Sequence, residues 1–338
     1  MDLNGKVYYA LLSGSYQSLA LEELRSILDV ESSYYSLDLV LDGIALFRSD
    51  IRDVKIIVDR AGFIKEVGLA LAISDSYLNG DWARDVSSSL GDLEVKIDVT
   101  RFKGFGGFSE LDIIKALCPR LKCRLKSSNI LRVLASEGLI IAGLMIDKAK
   151  FKSLESRRPR RRPFFAPGSL DPQISRLFVN LSRLKRGGVF LDPFCGTGGF
   201  ALEACSMGAS RVICGDIDWA MSLGALQNLR YYECDGRVLT LISDATRIPL
   251  SEYSVDAIAT DPPYGRSSST KKRLYAELTL EFLSEAKRVA KKNSYIVYAG
   301  PYNEQPWVLA RDASLNITGR FHMFVHGNLV REIVVAKV

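Results

Sequence analysis

Two short stretches in the second half of the sequence combine residue types that could do chemistry. The first is Asp261-Pro262-Pro263-Tyr264, which follows an apolar run at 254–259 that is typical of a buried strand. Because a proline cannot donate a backbone hydrogen bond, the strand must end at Asp261, at the edge of an open sheet where ligands bind. The carboxylate and the Pro262 carbonyl could then accept both hydrogens of an amino group while Tyr264 stacks on the ring that carries it. A proline-terminated turn with Tyr264 as a packing residue is the alternative.

The second stretch lies upstream and contains a glycine-rich turn. Residues 189–204 run as an apolar strand, the turn Gly196-Thr197-Gly198-Gly199 and an apolar helix. Glycines permit positive φ and a close approach of the backbone to a ligand, and the helix that follows presents N–H groups without intrahelical partners. The pattern is typical of a nucleotide-type site, but it matches neither the dinucleotide GxGxxG nor the GxxxxGK[ST] phosphate loop.

The two stretches, in this order, resemble the S-adenosylmethionine-dependent methyltransferases that modify exocyclic amino groups of nucleobases. The segment 162–172, Arg-Pro-Phe-Phe-Ala-Pro-Gly-Ser-Leu-Asp-Pro, is similar to a stretch that helps to close the cofactor pocket in one group of these enzymes. Over residues 55–338 the chain resembles the archaeal tRNA (guanine-10, N2)-methyltransferases. The resemblance implies an α/β fold: a Rossmann-like, seven-stranded methyltransferase domain and an N-terminal α+β RNA-binding region. We expect the seven-stranded sheet to be mostly parallel, with its last strand antiparallel.

Acids at the ends of the predicted strands are candidates for cofactor binding. We expect Asp192 near the sulfonium and amino end of the cofactor, where a carboxylate makes charge-assisted contacts. Asp216 ends the second strand, where nucleoside-binding sheets place an acid on the ribose hydroxyls, and Asp218 is its competitor. Asp244 follows the third strand and is expected to accept from the adenine amino group, although each acid taken singly could instead cap a helix. The predicted cofactor residues are Asp192, Phe194, Gly196, Thr197, Gly198, Asp216, Asp244, Ala245, Pro167 and Gly168.

The resemblance implies methylation of the exocyclic N2 amine of a guanosine in tRNA, at guanosine 10, with one or two methyl groups added. Asp261, Pro262 and Tyr264 are the predicted catalytic residues. The amine lone pair is delocalised into the ring, so acceptors for its hydrogens stabilise a more tetrahedral nitrogen as it attacks the methyl group in line. The sulfonium is a good leaving group, so neither a metal nor a covalent intermediate is needed, and the base must be flipped out of its stack. Whether Asp261 removes the proton or only orients the amine stays open.

The first half of the chain shows no residues arranged for catalysis. We predict an N-terminal ferredoxin-like domain at 1–52, a THUMP RNA-binding domain at 53–150, a basic linker at 151–168 and the methyltransferase domain at 169–338. The THUMP assignment follows a resemblance that rests on a basic, aromatic and glycine-rich loop at 101–108, ahead of a helix that Ser109 and Asp112 could cap. The apolar patterns predict strands at 7–12, 55–59 and 93–99 and helices at 19–28 and 63–73.

Clusters of cations supply the candidate RNA contacts. The loop at 101–108, the arginine run at 157–162 and the cluster at 271–273 could each hold phosphates. A solvated loop, a solvated linker and a solvated helix start are the respective alternatives. The predicted RNA-binding residues are Arg101, Lys103, Arg157, Arg158, Arg160, Lys271, Lys272 and Arg273.

Composition agrees with a basic, cytoplasmic, monomeric enzyme whose partner is tRNA. The 338 residues carry a net charge of +6, which weakly favours a polyanionic partner. The six cysteines and two histidines have no metal-ligand spacing, so no metal is expected, and unpaired thiols suit a reducing compartment. No apolar run reaches the length of a membrane-spanning helix, and the first residues do not form a signal peptide.

Three other functions compete with this interpretation. The same motif occurs in enzymes that act on DNA adenine or cytosine. Within the present interpretation, the target could also be another tRNA or rRNA guanosine, such as guanosine 6. A thiouridine synthase with a THUMP domain would need an ATP phosphate loop, and the sequence shows none. A non-catalytic THUMP RNA-binding protein with a relic site is the third, and the intact motifs argue against it.

Overall fold

The computed structural model describes residues 5–75, 81–102, 109–234, 236–264, 275–327 and 329–338. They form two compact units, Met1–Lys150 and Phe151–Val338. Lys103, Lys271, Lys272 and Arg273, all predicted to bind RNA, lie outside the described residues, as does most of the loop at 101–108.

The described part of the first unit is one mixed sheet with helices packed on it. The strands run in the order β2-β3-β1-β4-β8-β7-β5-β6. The strands are β1 (Val7–Leu12), β2 (Tyr35–Leu41), β3 (Ile44–Ser49), β4 (Ile64–Ser74), β5 (Glu94–Arg101), β6 (Lys122–Cys123), β7 (Ile130–Ser136) and β8 (Leu139–Lys148). The helices are α1 (Gln17–Glu31), α2 (Lys55–Arg60), α3 (Asp81–Leu90) and α4 (Glu110–Leu117).

Two predicted elements of this unit are wrong. The strand predicted at 55–59 is the helix α2, and the helix predicted at 63–73 is the strand β4. Short apolar runs fit either periodicity, and here pairing decides, because β4 lies between β1 and β8 and bonds to both. The same pairing joins residues before and after 52 in one sheet, so the boundary predicted there falls inside a compact unit.

The helix start predicted at Ser109 is confirmed. The Asp112 N–H donates to the Ser109 hydroxyl at 3.3 Å, and the Ser109 N–H donates to the Asp112 carboxylate at 2.7 Å. This reciprocal pair is a capping box, which satisfies backbone donors that a helix cannot satisfy itself.

The second unit contains a seven-stranded sheet in the order β11-β10-β9-β12-β13-β15-β14. The strands are β9 (Val189–Asp192), β10 (Arg211–Asp216), β11 (Val238–Ile242), β12 (Val255–Thr260), β13 (Ala290–Pro301), β14 (Asn316–His326) and β15 (Leu329–Lys337). The helices are α5 (Phe151–Leu154), α6 (Pro172–Leu181), α7 (Gly199–Ser206), α8 (Trp219–Tyr231), α9 (Tyr275–Val289) and α10 (Pro306–Asp312). Strand β15 is antiparallel to both of its neighbours, and the others run parallel, which confirms the predicted sheet.

Apolar packing fixes the strand ends that carry the site. Phe282 and Leu283 of α9 are fully buried in one cluster with Ile258 of β12 and Ile296 of β13. Burying aliphatic and aromatic side chains of this size contributes about 1.5–3 kcal/mol each. The carboxyl ends of β9, β10, β11 and β12 are thereby held at one edge of the sheet.

The segment predicted as a basic linker belongs to the second unit. It forms α5 and two short 3₁₀ turns, and Leu154 and Arg162 are buried. The segment is held in this unit because one of its arginines pairs with a fully buried carboxylate, Glu203 of α7. Arg157 donates to both of its oxygens, at 2.8 and 2.9 Å, and Arg176 lies 3.5 Å away. A buried charge is stable only when it is paired, so this part of the arginine run is structural.

The expectation of unpaired thiols is also wrong. The six cysteines form three disulfides, Cys118–Cys123, Cys195–Cys214 and Cys205–Cys234. Neighbouring strands and the helices beside them bring together cysteines that lie 19 and 29 residues apart in the sequence.

We predict that the double variant Cys205→Ser, Cys234→Ser unfolds more easily than the wild type. A cross-link of this loop length restricts the unfolded chain, so its loss should lower the free energy of unfolding by about 2–4 kcal/mol. Urea denaturation without reductant measures the change. The double variant Cys118→Ser, Cys123→Ser, which opens a shorter loop, is the control and should lose less. If a thiol titration of denatured, unreduced wild type detected all six cysteines as free thiols, the prediction would be contradicted.

Candidate active site

A cavity of ≈ 490 Å³ lies at the carboxyl ends of the parallel strands of the second unit. Most of the predicted cofactor residues line it together with Asp261. Lining residues among the predicted ones are Pro167, Gly168, Phe194, Gly196, Thr197, Asp216, Asp244, Ala245 and Asp261. The sequence patterns therefore located one continuous pocket within this unit.

The glycine-rich turn forms one wall of the cavity. Gly198 has φ 80° and is the N-cap of α7, in the left-handed region that favours glycine. Gly196 has φ 50°, and no atom lies within 4 Å of where its Cβ would be, on the side of the cavity that it lines. Gly198 does not line the cavity, so its contribution is the shape of the turn.

Asp216 joins the glycine-rich turn to the end of β10. Its Oδ2 accepts from the Gly196 N–H at 2.9 Å, and its Oδ1 accepts from the Asp218 N–H at 2.9 Å. Burial raises the pKa of Asp216, while these hydrogen bonds oppose the rise. Asp218 instead caps α8, with its Oδ1 accepting from the Ala220 N–H at 2.8 Å. Both acids line the cavity, but only Asp216 fixes the turn.

Asp244 lies two residues after β11 and is also held by local donors. Its Oδ1 accepts from the Thr246 N–H at 3.0 Å and from the Thr246 hydroxyl at 2.8 Å. The carboxylate is thus fixed beside Ala245, which is 4% exposed and lines the same cavity.

Asp192 lies beneath the cavity and does not line it. The side chain is fully buried, and its Oδ1 accepts from the Thr260 hydroxyl at 2.7 Å and from the Phe194 N–H at 3.3 Å. Within the described residues Oδ2 has no hydrogen-bond partner, and burial raises the pKa of Asp192 to about 8. Asp192 links β9 to β12 through the Thr260 hydroxyl, and its expected place near the cofactor stays a prediction.

The segment at 162–172 forms a second wall. Ala166 to Leu170 line the cavity, and the Ser169 hydroxyl lies 2.9 Å from the Thr197 hydroxyl. The buried Arg162 donates to the same Thr197 oxygen at 3.2 Å. These contacts tie the segment to the glycine-rich turn, and Arg162 was not among the predicted site residues.

Asp261 immediately follows β12 and lies in a closed set of side-chain hydrogen bonds. The Tyr264 hydroxyl donates to Asp261 Oδ1 at 2.5 Å, and Arg331 Nη2 donates to Oδ2 at 3.1 Å. Arg331 Nε also donates to the Tyr264 oxygen at 2.8 Å. Pro262 is buried and Pro263 lines the cavity. The Tyr264 hydroxyl holds the carboxylate, and stacking of its ring on a base stays a prediction. Arg331 was not among the predicted site residues.

The predicted RNA contacts have different surroundings. Arg157 is bound to buried Glu203, so its guanidinium is engaged within the fold, and its contact with phosphate stays a prediction. Arg158 is exposed, 3.6 Å from Asp171, and Arg160 is exposed. Arg101 ends β5 in the first unit and is exposed.

The sequence pattern of the RMKL-like methyltransferase domain matches residues 159–333. The tRNA (guanine(10)-N2)-dimethyltransferase of Methanothermobacter thermautotrophicus is 34% identical over 97% of this chain and 98% of its own length. The chain belongs to the tRNA (guanine(10)-N2)-methyltransferase family. The enzyme of the same name from Methanocaldococcus jannaschii is 36% identical over 63% of this chain and 58% of its own length.

Membership confirms the predicted family and its methyltransferase chemistry. The crystal structure of TrmN from Thermus thermophilus shares the fold, with a TM-score of 0.53 and 19% identity over 98% of this chain and 99% of its own. No group of three or more candidate metal ligands occurs among the described residues. Across the same ranges every helix is too short or too polar to cross a membrane.

S-adenosylmethionine, the cofactor that the family implies, fits the residues of the cavity. Asp216 and Asp244 are acceptors suited to ribose hydroxyls and an adenine amino group. Ile217 lies between Asp216 and Asp218, is 38% exposed and lines the cavity, so it offers an apolar surface to a base or sugar. The clear space beside Gly196 lets the backbone approach the ligand closely.

We predict that Asp216→Ala weakens S-adenosylmethionine binding by about tenfold to a hundredfold, because hydrogen bonds to a charged group contribute about 1.5–3 kcal/mol. Ribose contacts are made equally in the ground and transition states, so turnover at saturation should fall less. Isothermal titration calorimetry and saturation kinetics separate the two effects. Asp218→Ala is the matched control and should mainly lower stability, by about 1 kcal/mol, through loss of the helix cap. The opposite pattern would show that Asp218 holds the ribose.

Proposed function

We propose that this chain transfers a methyl group from S-adenosylmethionine to the exocyclic N2 amine of a guanosine in tRNA, at position 10. The observation that carries the proposal is the Asp261 carboxylate, which follows β12 and lines the same cavity as the predicted cofactor residues. The relative that matches across 97% of the chain and the one that matches 63% of it are both named for methylation of this atom. The glycine-rich turn serves the cofactor, and Asp261 serves the amine.

The chain contributes placement and electrostatics to this reaction. When bound, S-adenosylmethionine supplies a methyl group on a sulfonium. Asp261 accepts a hydrogen bond from the amine, so that the nitrogen lone pair is less delocalised and points along the line of attack. The Pro262 carbonyl is the second proposed acceptor. The target base must leave its stack to reach an acid that is nearly enclosed by protein.

A second methyl transfer to the same nitrogen is part of the proposal, because the matching relatives are named dimethyltransferases. After the first transfer, the amine retains one hydrogen. A single acceptor is then sufficient to hold it, and Asp261 can fill that role without a second site.

We further propose that the first unit is a THUMP-type RNA-binding region. The support is the exposed Arg101 at the end of β5, which is followed in the sequence by Lys103 and three glycines. The exposed residues Arg158 and Arg160 are the remaining described candidates for phosphate contact in the second unit.

We predict that Asp261→Asn lowers the turnover of methyl transfer to tRNA by at least about a hundredfold, a cost of roughly 3 kcal/mol. The amide keeps the volume but replaces an anion with a neutral group. The dissociation constant of S-adenosylmethionine should change little, since this side chain faces the amine. Mass spectrometry of a tRNA transcript gives the product, calorimetry gives the affinity, and Asp312→Asn on exposed α10 is the control. Equal losses of affinity and turnover would place Asp261 at the cofactor instead.

We predict that Arg101→Ala with Lys103→Ala weakens tRNA binding and leaves S-adenosylmethionine affinity unchanged. When two phosphate contacts are lost, tRNA binding releases fewer counterions, so the slope of log K against log salt should flatten by about 1.5–2. Filter binding across a salt series measures the slope, with exposed Arg25→Ala of α1 as the matched control.

A fragment starting at Phe151, which keeps the Arg157–Glu203 pair, should bind cofactor but methylate tRNA poorly. Full activity of that fragment at all salt concentrations would contradict the role of the first unit.

A further inference from the structure

A buried arginine that lies outside every motif of the sequence is bonded to the Asp261 carboxylate. Arg331 is 6% exposed, and its guanidinium donates to Asp261 Oδ2 at 3.1 Å and to the Tyr264 oxygen at 2.8 Å. Tyr264 donates in turn to Asp261 Oδ1 at 2.5 Å. The three side chains form a closed ring in which each oxygen of the carboxylate has its own donor.

The antiparallel strand accounts for this placement. Strand β15 runs against β13 and β14, with Arg331 opposite Pro301 at the end of β13 and opposite Met323 on β14. A residue near the start of an antiparallel strand therefore lies at the edge where the parallel strands end. Arg331 and Asp261 are 70 residues apart in the sequence, and only the closure of the sheet brings them together.

We propose that Arg331 is a positioning residue for methyl transfer, which keeps Asp261 ionised and aimed at the amine of the target base. The inference rests on the proposed function, because it concerns the same acceptor. Only an ionised carboxylate offers acceptor sites on both oxygens, and each oxygen that already holds one donor has room for another. A planar guanidinium can bond Asp261 and Tyr264 together, which a point-like ammonium cannot do as well.

Electrostatics supports the geometry. Burial is the largest influence and raises the pKa of Asp261 above its ordinary value, while the charge of Arg331 and then the hydrogen bond from Tyr264 act in the opposite direction. The other titratable groups that face this carboxylate are Asp192, at the end of β9, and Tyr275 of α9; the charge of Asp261 raises the pKa of each. Removing the arginine leaves burial unopposed by a cation, so the carboxyl would hold its proton to higher pH.

A higher pKa of Asp261 changes the pH at which activity is lost. Activity that needs ionised Asp261 is lost as pH falls through its folded-state pKa, so a higher pKa moves this loss upward in pH. A purely structural arginine would change stability or the amount of folded protein, but it would leave the acid side of the pH profile of kcat/KM where it is in the wild type.

The experiment compares wild type, Arg331→Gln and Arg331→Lys in methyl transfer to a tRNA transcript from pH 5 to 9. For the glutamine variant we expect a fall in turnover of about tenfold to a hundredfold and an acid limb shifted upward by about one pH unit. The dissociation constant of S-adenosylmethionine should stay within about twofold of the wild-type value, which separates this role from cofactor binding. The lysine variant keeps the cation, so its acid limb should return to near the wild-type position while its turnover stays low.

Each result decides the inference. An acid limb that does not move in folded Arg331→Gln, or a loss of cofactor affinity equal to the loss of turnover, would overturn it while leaving the proposed function intact. If the glutamine variant does not fold, wild-type turnover in Arg331→Lys would overturn the positioning role, and a folded Arg331→Lys that has low turnover but wild-type affinity for S-adenosylmethionine would support it. A wild type that methylates no tRNA would overturn both this inference and the proposed function.

Discussion

Four aspartates follow four adjacent parallel strands, and burying them at one sheet edge is the constraint on which the site depends. Asp192, Asp216, Asp244 and Asp261 stand at or just beyond the ends of β9, β10, β11 and β12. Carboxylates lose hydration when buried, and neighbouring ones repel each other. The sheet gathers these acceptors for a ligand, and the surrounding structure must stabilise each of them before the ligand arrives.

The chain stabilises them in three ways. Asp216 and Asp244 accept from nearby backbone N–H groups, which ties them to tight turns. Asp261 has a cation and a phenol. Both hydrogen bonds to Asp192, from the Thr260 hydroxyl and the Phe194 N–H, reach Oδ1, and burial raises the pKa of this carboxyl to about 8.

Local patterns in the sequence predicted the parts of the site that local structure builds. The glycine-rich turn, the proline-terminated strand at Asp261 and the capping box at Ser109 each depend on a few consecutive residues. Long-range contacts decided the rest. Residues 63–73 became a strand because β1 and β8 pair with them, and Arg157 turned inward because Glu203 is buried 46 residues later. Arg331 carries no local pattern at all, since its partner is 70 residues away on another strand.

The two halves of the pocket therefore differ in what holds them. The cofactor side is built from turns that satisfy their own acids through backbone N–H groups near the ends of β9, β10 and β11. The amine side needs a side chain from β15, which pairs with β13 and donates to Asp261. A single strand that reverses direction thus links a distant part of the sequence to the charge and orientation of the acceptor. The residues of the sequence motifs build the floor of the pocket. The ionisation and orientation of Asp261 depend instead on Arg331 of β15, a strand that is distant in the sequence.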